Sequence, residues 1–340
     1  HGDKADEHQR SDEQATPNFQ SARHLHSEVL IQSIIVLSNM MFLFLFASSF
    51  TAIASEGPWT TPVGRHNLYA GIFHEQFRCF EALGKQSSEC GSGLPVSSTV
   101  QNVGFKLFYR YGLREKWDFA IAAPVGKSQM ADPSNQEMQA TTTGVGLVES
   151  RFRRRLGSTG SFDWSASGGV RTGVLHRSTR GRITNLGEGT TDFAGTVATG
   201  ATGLLGPRFY TTSVDVTYYY RLPLQVDDEL GGIPGDELRV SSVFDYAFTS
   251  RLGFGVSVDA FHRLSGVDLD FGDISQYGDD RWSALAASQV KVGGRMMLYP
   301  QGRLPYLQLG GQRVVWAKNN PTDALFVEVA MGKDFGGNKP

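Results

Sequence analysis

The stretch VQNVGFKLFYRYGLREKWDFAIAAPV, Val100 to Val125, decides the fold. Every second residue from Val103 is apolar: Val103, Phe105, Leu107, Tyr109, Tyr111. The residues between them, Asn102, Gly104, Lys106, Phe108 and Arg110, are mostly polar or small. A period of two is a strand with one apolar and one polar face. After the polar turn Gly112-Leu113-Arg114-Glu115-Lys116 the alternation resumes, with Trp117, Phe119, Ile121, Ala123 and Val125 on one face and Asp118 on the other. Aromatics crowd both strands beside the turn, on the apolar face. A soluble sandwich would spread them through its core, whereas a membrane-interface belt gathers them at one level.

Moving outward, the same pattern recurs to the C-terminus. Phe162, Trp164, Ala166, Gly168 and Val170 alternate with Asp163, Ser165, Ser167, Gly169 and Arg171; Val214, Val216, Tyr218 and Tyr220 with Ser213, Asp215, Thr217 and Arg221; Phe254, Val256 and Val258 with Ser257 and Asp259. About twelve strands emerge, and the connections alternate in length. Tight turns fall at 112–116, 157–160, 206–207, 249–251 and 300–303; longer loops at 78–98, 127–142, 174–190, 223–236 and 265–280. Short periplasmic turns and long external loops mark outer-membrane barrels. The fold class is therefore all-β: an antiparallel up-and-down transmembrane β-barrel of about twelve strands, preceded by an N-terminal signal segment. Arg151–Arg155 and Tyr306–Gly311 break strict alternation, and bulges are expected there.

Residues 1–54 read as an upstream segment plus signal peptide, and 55–340 as the barrel. One stretch, from about Val29 to Ile53, is long and apolar and ends in Ala52-Ile53-Ala54, a small-x-small site of the kind signal peptidase cuts, so the mature chain is expected to start near Ser55. A single-helix inner-membrane anchor is the other reading of this stretch. The polar, aperiodic region before it is an extended n-region or an upstream addition, with Met40 and Met41 as alternative starts. Three of the 32 basic and six of the 34 acidic residues fall in 1–54, leaving 29 and 28. So neutral a chain implies no nucleic-acid partner.

The 78–98 loop holds both cysteines, Cys79 and Cys90, separated by a Gly/Ser-rich turn. In an exported chain they are expected to form a disulfide, stabilising by roughly 3 kcal/mol on the chain-entropy account. Inward positions carry both signs of charge: Lys106, Arg110, Asp118, Asp163, Arg171, Asp215, Arg221, Arg239, Asp245, Asp259, Lys291, Arg295 and Glu328. These are the lumen-facing candidates, either lining a solute path or pairing across a closed interior, since isolated charges in a narrow lumen are costly. Twelve strands enclose less than the sixteen to eighteen of wide porins, so a narrow or plugged channel is expected.

Asp268, Asp270 and Asp273 could gather Ca²⁺, but their spacing matches no EF-hand loop and acidic outer loops are ordinary solvated surface; no metal or other cofactor is assigned. His66, His74, His176 and His262 sit in no Ser/His or Asp/His motif, and there is no P-loop, nucleophile elbow or dinucleotide fingerprint. The chain is not read as an enzyme.

The order Trp59-Thr60-Thr61-Pro62-x-Gly64, then Tyr109-Arg110-Tyr111-Gly112-Leu113-x-x-Lys116-x-Asp118 and Pro124, resembles the outer-membrane transporter barrels of the meta-pathway phenol-degradation (MetA-type) family. The resemblance covers the leader and first strands, and departs at the end, where the chain runs past Phe335 into Gly-Gly-Asn-Lys-Pro. It implies passage of small, hydrophobic or aromatic compounds. The expected function is an outer-membrane channel or transporter for small solutes in a Gram-negative bacterium, with outer-membrane lipid and the solute as partners. A structural or surface-binding barrel, and a lipid-modifying barrel enzyme using His74 or His262, are the alternatives.

Overall fold

The computed structural model describes residues 57–80, 94–131, 140–173, 191–222, 235–265, 287–300 and 304–336. Thirteen strands occur in them: β1 (Arg65–Phe80), β2 (Leu94–Arg114), β3 (Trp117–Ala131), β4 (Ala140–Val145), β5 (Val148–Thr159), β6 (Phe162–Thr172), β7 (Thr191–Leu205), β8 (Arg208–Arg221), β9 (Glu237–Ala247), β10 (Leu252–Arg263), β11 (Ser288–Leu298), β12 (Tyr306–Lys318) and β13 (Leu325–Gly336). All sequence neighbours except β4 and β5 pair antiparallel, and β1 pairs with β13, so the sheet closes on itself. β4 and β5 both pair with β3 and are two pieces of one stave. The barrel thus has twelve staves.

That split stave has a local cause. Val125 pairs with Val145 and Ala122 with Glu149, so β3 spends one residue fewer than its partner across the gap. Pro124 sits there; it has no N–H to give the ladder. Its carbonyl still accepts from the Gly146 N–H at 2.8 Å. The bulges expected at Arg151–Arg155 and Tyr306–Gly311 fall elsewhere. Arg151 to Arg155 pair continuously with β6, and the shift comes at Leu156 before Gly157, whose φ is 145°. In β12 the pairing is continuous from Leu307 to Val314 and slips at Val315. Both stretches alternate after all: Arg154 points outward among arginines, and Tyr306 points inward among aliphatics, which disguised the period.

The tight connections follow turn chemistry. Gly160-Ser161 and Gly206-Pro207 put a positive φ (60° and 62°) at the first turn residue, as two-residue hairpins of the primed type demand. At the opposite end the strands run further than their sequence suggested. β1 continues to Phe80 and β2 begins at Leu94, so Cys79 belongs to a strand and not to a loop. The pairs Cys79 with Pro95 and Phe80 with Leu94 form beyond an irregularity at Arg78.

The exterior is apolar by design of the alternation. Phe105, Leu107, Val216, Phe254 and Val256 are all exposed, at 40–58%. In water so large an exposed apolar surface would aggregate; in a bilayer it is the required surface. Aromatics mark the turn-side edge: His66 stacks on Phe335 with centroids 5.0 Å apart, and its Nδ1 lies 2.7 Å from the Tyr109 hydroxyl. Phe119 meets Phe152 at 4.9 Å and Phe248 meets Phe254 at 6.3 Å. A closed barrel with this belt is an outer-membrane protein's fold.

Candidate functional site

The interior is where the chemistry collects, and it has three levels. At the turn end, the leader Gly57–Pro62 does not run outside the barrel but lies against its inner wall. Trp59 is 5% exposed and its Nε1 donates to Asp163 Oδ2 at 3.1 Å. The Thr61 N–H donates to Asp118 Oδ2 at 2.8 Å, and the Gly57 N–H to Asp215 Oδ2 at 3.3 Å. Arg153 Nη1 donates to the Gly57 carbonyl at 2.6 Å. Six residues therefore touch staves from β3 to β8. Glycines make the seat: a Cβ on Gly200 would come within 2.9 Å of both Pro58 and Trp59, and one on Gly112 within 2.0 Å of the Pro62 carbonyl oxygen. Val63 bridges Gly112 in parallel, tying the leader's end to β2.

The carboxylates that hold the leader are held in turn. Asp118 is fully buried, with Arg153 Nε at 3.3 Å and Arg110 Nε at 3.9 Å. Asp163 accepts from Arg155 Nη2 at 2.6 Å. Across the lumen from the leader's contacts, inward aromatics fill the same end: Tyr69, Phe108, Tyr299 and Tyr306 form one buried cluster with Met297, Ala120 and Ala330. Tyr306 occupies the space a side chain at Gly332 would take, 2.0 Å from its ring.

The middle level is polar and paired. Arg295 grips Asp245 with both arms, Nε to Oδ1 at 2.9 Å and Nη2 to Oδ2 at 2.5 Å. Glu328 leans over Gly71, the cross-strand partner of Lys106. Asp259 receives Ser241 at 2.5 Å and Gln312 at 3.2 Å. Lys291 meets Glu75 at 3.2 Å, which also accepts from Asn102.

Near the long loops, Arg171 binds Asp192 at 2.7 Å and Glu237 at 3.4 Å, and lies over the Tyr219 ring at 3.8 Å. Arg221 approaches Asp192 at 3.5 Å, and Arg239 approaches Glu237 at 3.2 Å. Arg151 joins Glu149 at 2.5 Å and the Tyr219 hydroxyl at 2.7 Å.

All thirteen sequence candidates are buried or half-buried, on the parity opposite the apolar belt. Sequence reasoning missed their partners Glu75, Glu149, Arg151, Arg153, Asp192 and Glu237. Arg151 and Arg153 were hidden in a five-residue run that is four-fifths arginine. Glu237 and Asp192 stand at strand ends, where too few residues precede them to set a period. It also missed a Ser–His contact: His262 Nδ1 lies 2.7 Å from Ser288 Oγ on the outward parity. Ser288 is 3% exposed, and among the described residues no carboxylate orients the ring as a nucleophile's base requires. Cys90 and the Asp268–Asp280 loop lie outside the described residues, as does everything before Gly57.

No protein-family model and no curated protein matches the chain. Among solved structures, the COG4313 outer membrane channel from Pseudomonas putida F1 superposes with a TM-score of 0.59 at 13% identity, covering 81% of this chain and 97% of that one. The translocator domain of the autotransporter NalP from Neisseria meningitidis (10% identity, 89% and 98% covered, TM-score 0.44) and the NanC porin (7%, 77% and 98%, 0.44) are more distant, and nothing rests on them. What the first likeness shows is the fold: the chain is built as outer-membrane channel barrels are built.

Proposed function

We propose that the barrel is an outer-membrane channel for small, hydrophobic or aromatic solutes, closed at its turn end by its own leader. One observation carries this reading: the leader and the inward cluster of Tyr69, Phe108, Met297, Tyr299 and Tyr306 occupy the turn end together. A path past them is narrow and largely apolar, whereas a sieve for hydrophilic solutes needs a wide wet lumen. The paired charges above support it, because Glu75, Asp118, Asp163, Asp192, Glu237 and Asp245 each meet an arginine or lysine, which compensates much of the interior field that a passing ion would feel. On this reading the thirteen inward candidates position the wall and the leader instead of binding solute directly. The exported chain begins near Ser55, after removal of the apolar segment, which leaves the leader free to enter the lumen.

The test is uptake. In a Gram-negative host without its own wide porins, expression should raise entry of a labelled uncharged monoaromatic, while liposomes carrying the purified protein swell slowly in sugars. Rapid sugar entry, or aromatic uptake unchanged by expression, contradicts the proposal. The second outcome, if it persists after leader removal, selects a non-transporting barrel.

A further inference from the structure

The exterior of the turn end carries a feature that the channel reading does not use. Trp117 is the cross-strand partner of Arg114 on β2 and of Arg154 on β5. Both guanidinium groups stand over its indole, at 4.9 and 5.4 Å from the ring centroid. The frame is rigid, since the Arg155 N–H also donates to the Lys116 carbonyl at 2.8 Å. Arg114 and Arg154 are both exposed, and among the described residues neither meets a carboxylate. Two guanidinium groups over one indole, neither with a carboxylate, concentrate positive charge at a membrane interface, so the arrangement calls for an anion.

The surroundings say which anion. Two residues further into the bilayer from Trp117 lies Phe119, against Phe152, which is 55% exposed. Charge sits at the edge and apolar surface sits inboard, the polarity of a glycerophospholipid with its phosphate at the rim and its chains on the barrel wall. The whole rim shares this sign. Lys116, Arg208, Arg251 and Lys333 are exposed at the same end, where Glu115 is the one exposed carboxylate among the described residues. Short turns face the periplasm, so this rim meets the inner, phospholipid leaflet. We propose that Arg114, Trp117 and Arg154 form a headgroup site for an anionic glycerophospholipid of that leaflet. The inference rests on the barrel's orientation and not on what it transports.

Native mass spectrometry of the full barrel, released from micelles doped equally with phosphatidylglycerol and phosphatidylcholine, reads the preference. Phosphatidylglycerol adducts should dominate. A basic residue near an anionic surface contributes roughly 1 kcal/mol, so R114Q and R154Q should each lower the excess about fivefold and R114Q/R154Q about 30-fold. All three should keep heat-modifiable mobility on gels, because the side chains lie outside the packed interior. R208Q/R251Q, on the same rim away from Trp117, should keep most of the excess. Equal retention of the two lipids by the unaltered protein, or an excess unchanged in R114Q/R154Q, overturns the site. An equal loss in R208Q/R251Q overturns it too, since it reduces the preference to diffuse rim charge. Glycerol 3-phosphate, which has no chains, should leave the lipid adducts in place; displacement at matched concentration would assign the arginines to free phosphate.

Discussion

Trp59→Ala removes the leader's main anchor and should loosen the leader while leaving the barrel folded. The indole is buried among Pro58, Gly200 and the β6 wall and donates to Asp163. A buried Trp→Ala change costs about 3–5 kcal/mol where the site cannot collapse. Water can enter a lumen, so the lower figure applies, and at about 1.4 kcal/mol per decade it weakens leader docking on the order of 100-fold. The bonds of Thr61 to Asp118, of Gly57 to Asp215 and of Arg153 to Gly57 remain, so docking is weakened and not abolished. In planar bilayers the variant should open far more often than the unaltered protein. Heat-modifiable mobility, which reports barrel folding, should not change, because no stave loses a cross-strand partner. Unaltered opening frequency in a folded variant would refute the reasoning, as would a variant whose barrel fails to form.

Asp245→Leu takes away the carboxylate that Arg295 grips and should cost about 3–5 kcal/mol, read as a lower urea midpoint; adding Arg295→Met should recover much of it. Val256→Arg places a charge on the lipid face, where Val256 is 58% exposed, and should cost about 2–4 kcal/mol if the site is near the midplane; normal assembly of that variant would mean the face assignment is inverted. Cys79 and Cys90 should be recovered bonded to one another after non-reducing purification, and mass spectrometry finding both as free thiols would contradict this.

The barrel was legible because a stave buried on one face only must alternate, and twelve repeats of that pattern leave little freedom. Loop lengths then set the expected orientation, with the short turns in the periplasm. Phe105, Leu107, Val216, Phe254 and Val256 read as outward from sequence and are outward in the structure. Three things were not legible. Which inward charge meets which is decided by stagger between staves: Asp192 and Arg171 lie 21 residues apart, and Asp245 and Arg295 lie 50 apart. The leader's place was hidden because Gly57 to Pro62 has no period and no helix signal; its seat is visible only once Gly112 and Gly200 are brought together. Arg154 looked like a defect in its strand because an outward arginine breaks the apolar face, yet at the turn-side interface it belongs beside Trp117.

Closure of the lumen by the leader is the central claim. Planar-bilayer recording of the refolded barrel with and without residues 57–62, at the same protein folding state on gels, measures it. Openings should be rare and small with the leader, and conductance several-fold larger and persistent without it. Identical conductance in the two forms would contradict the claim.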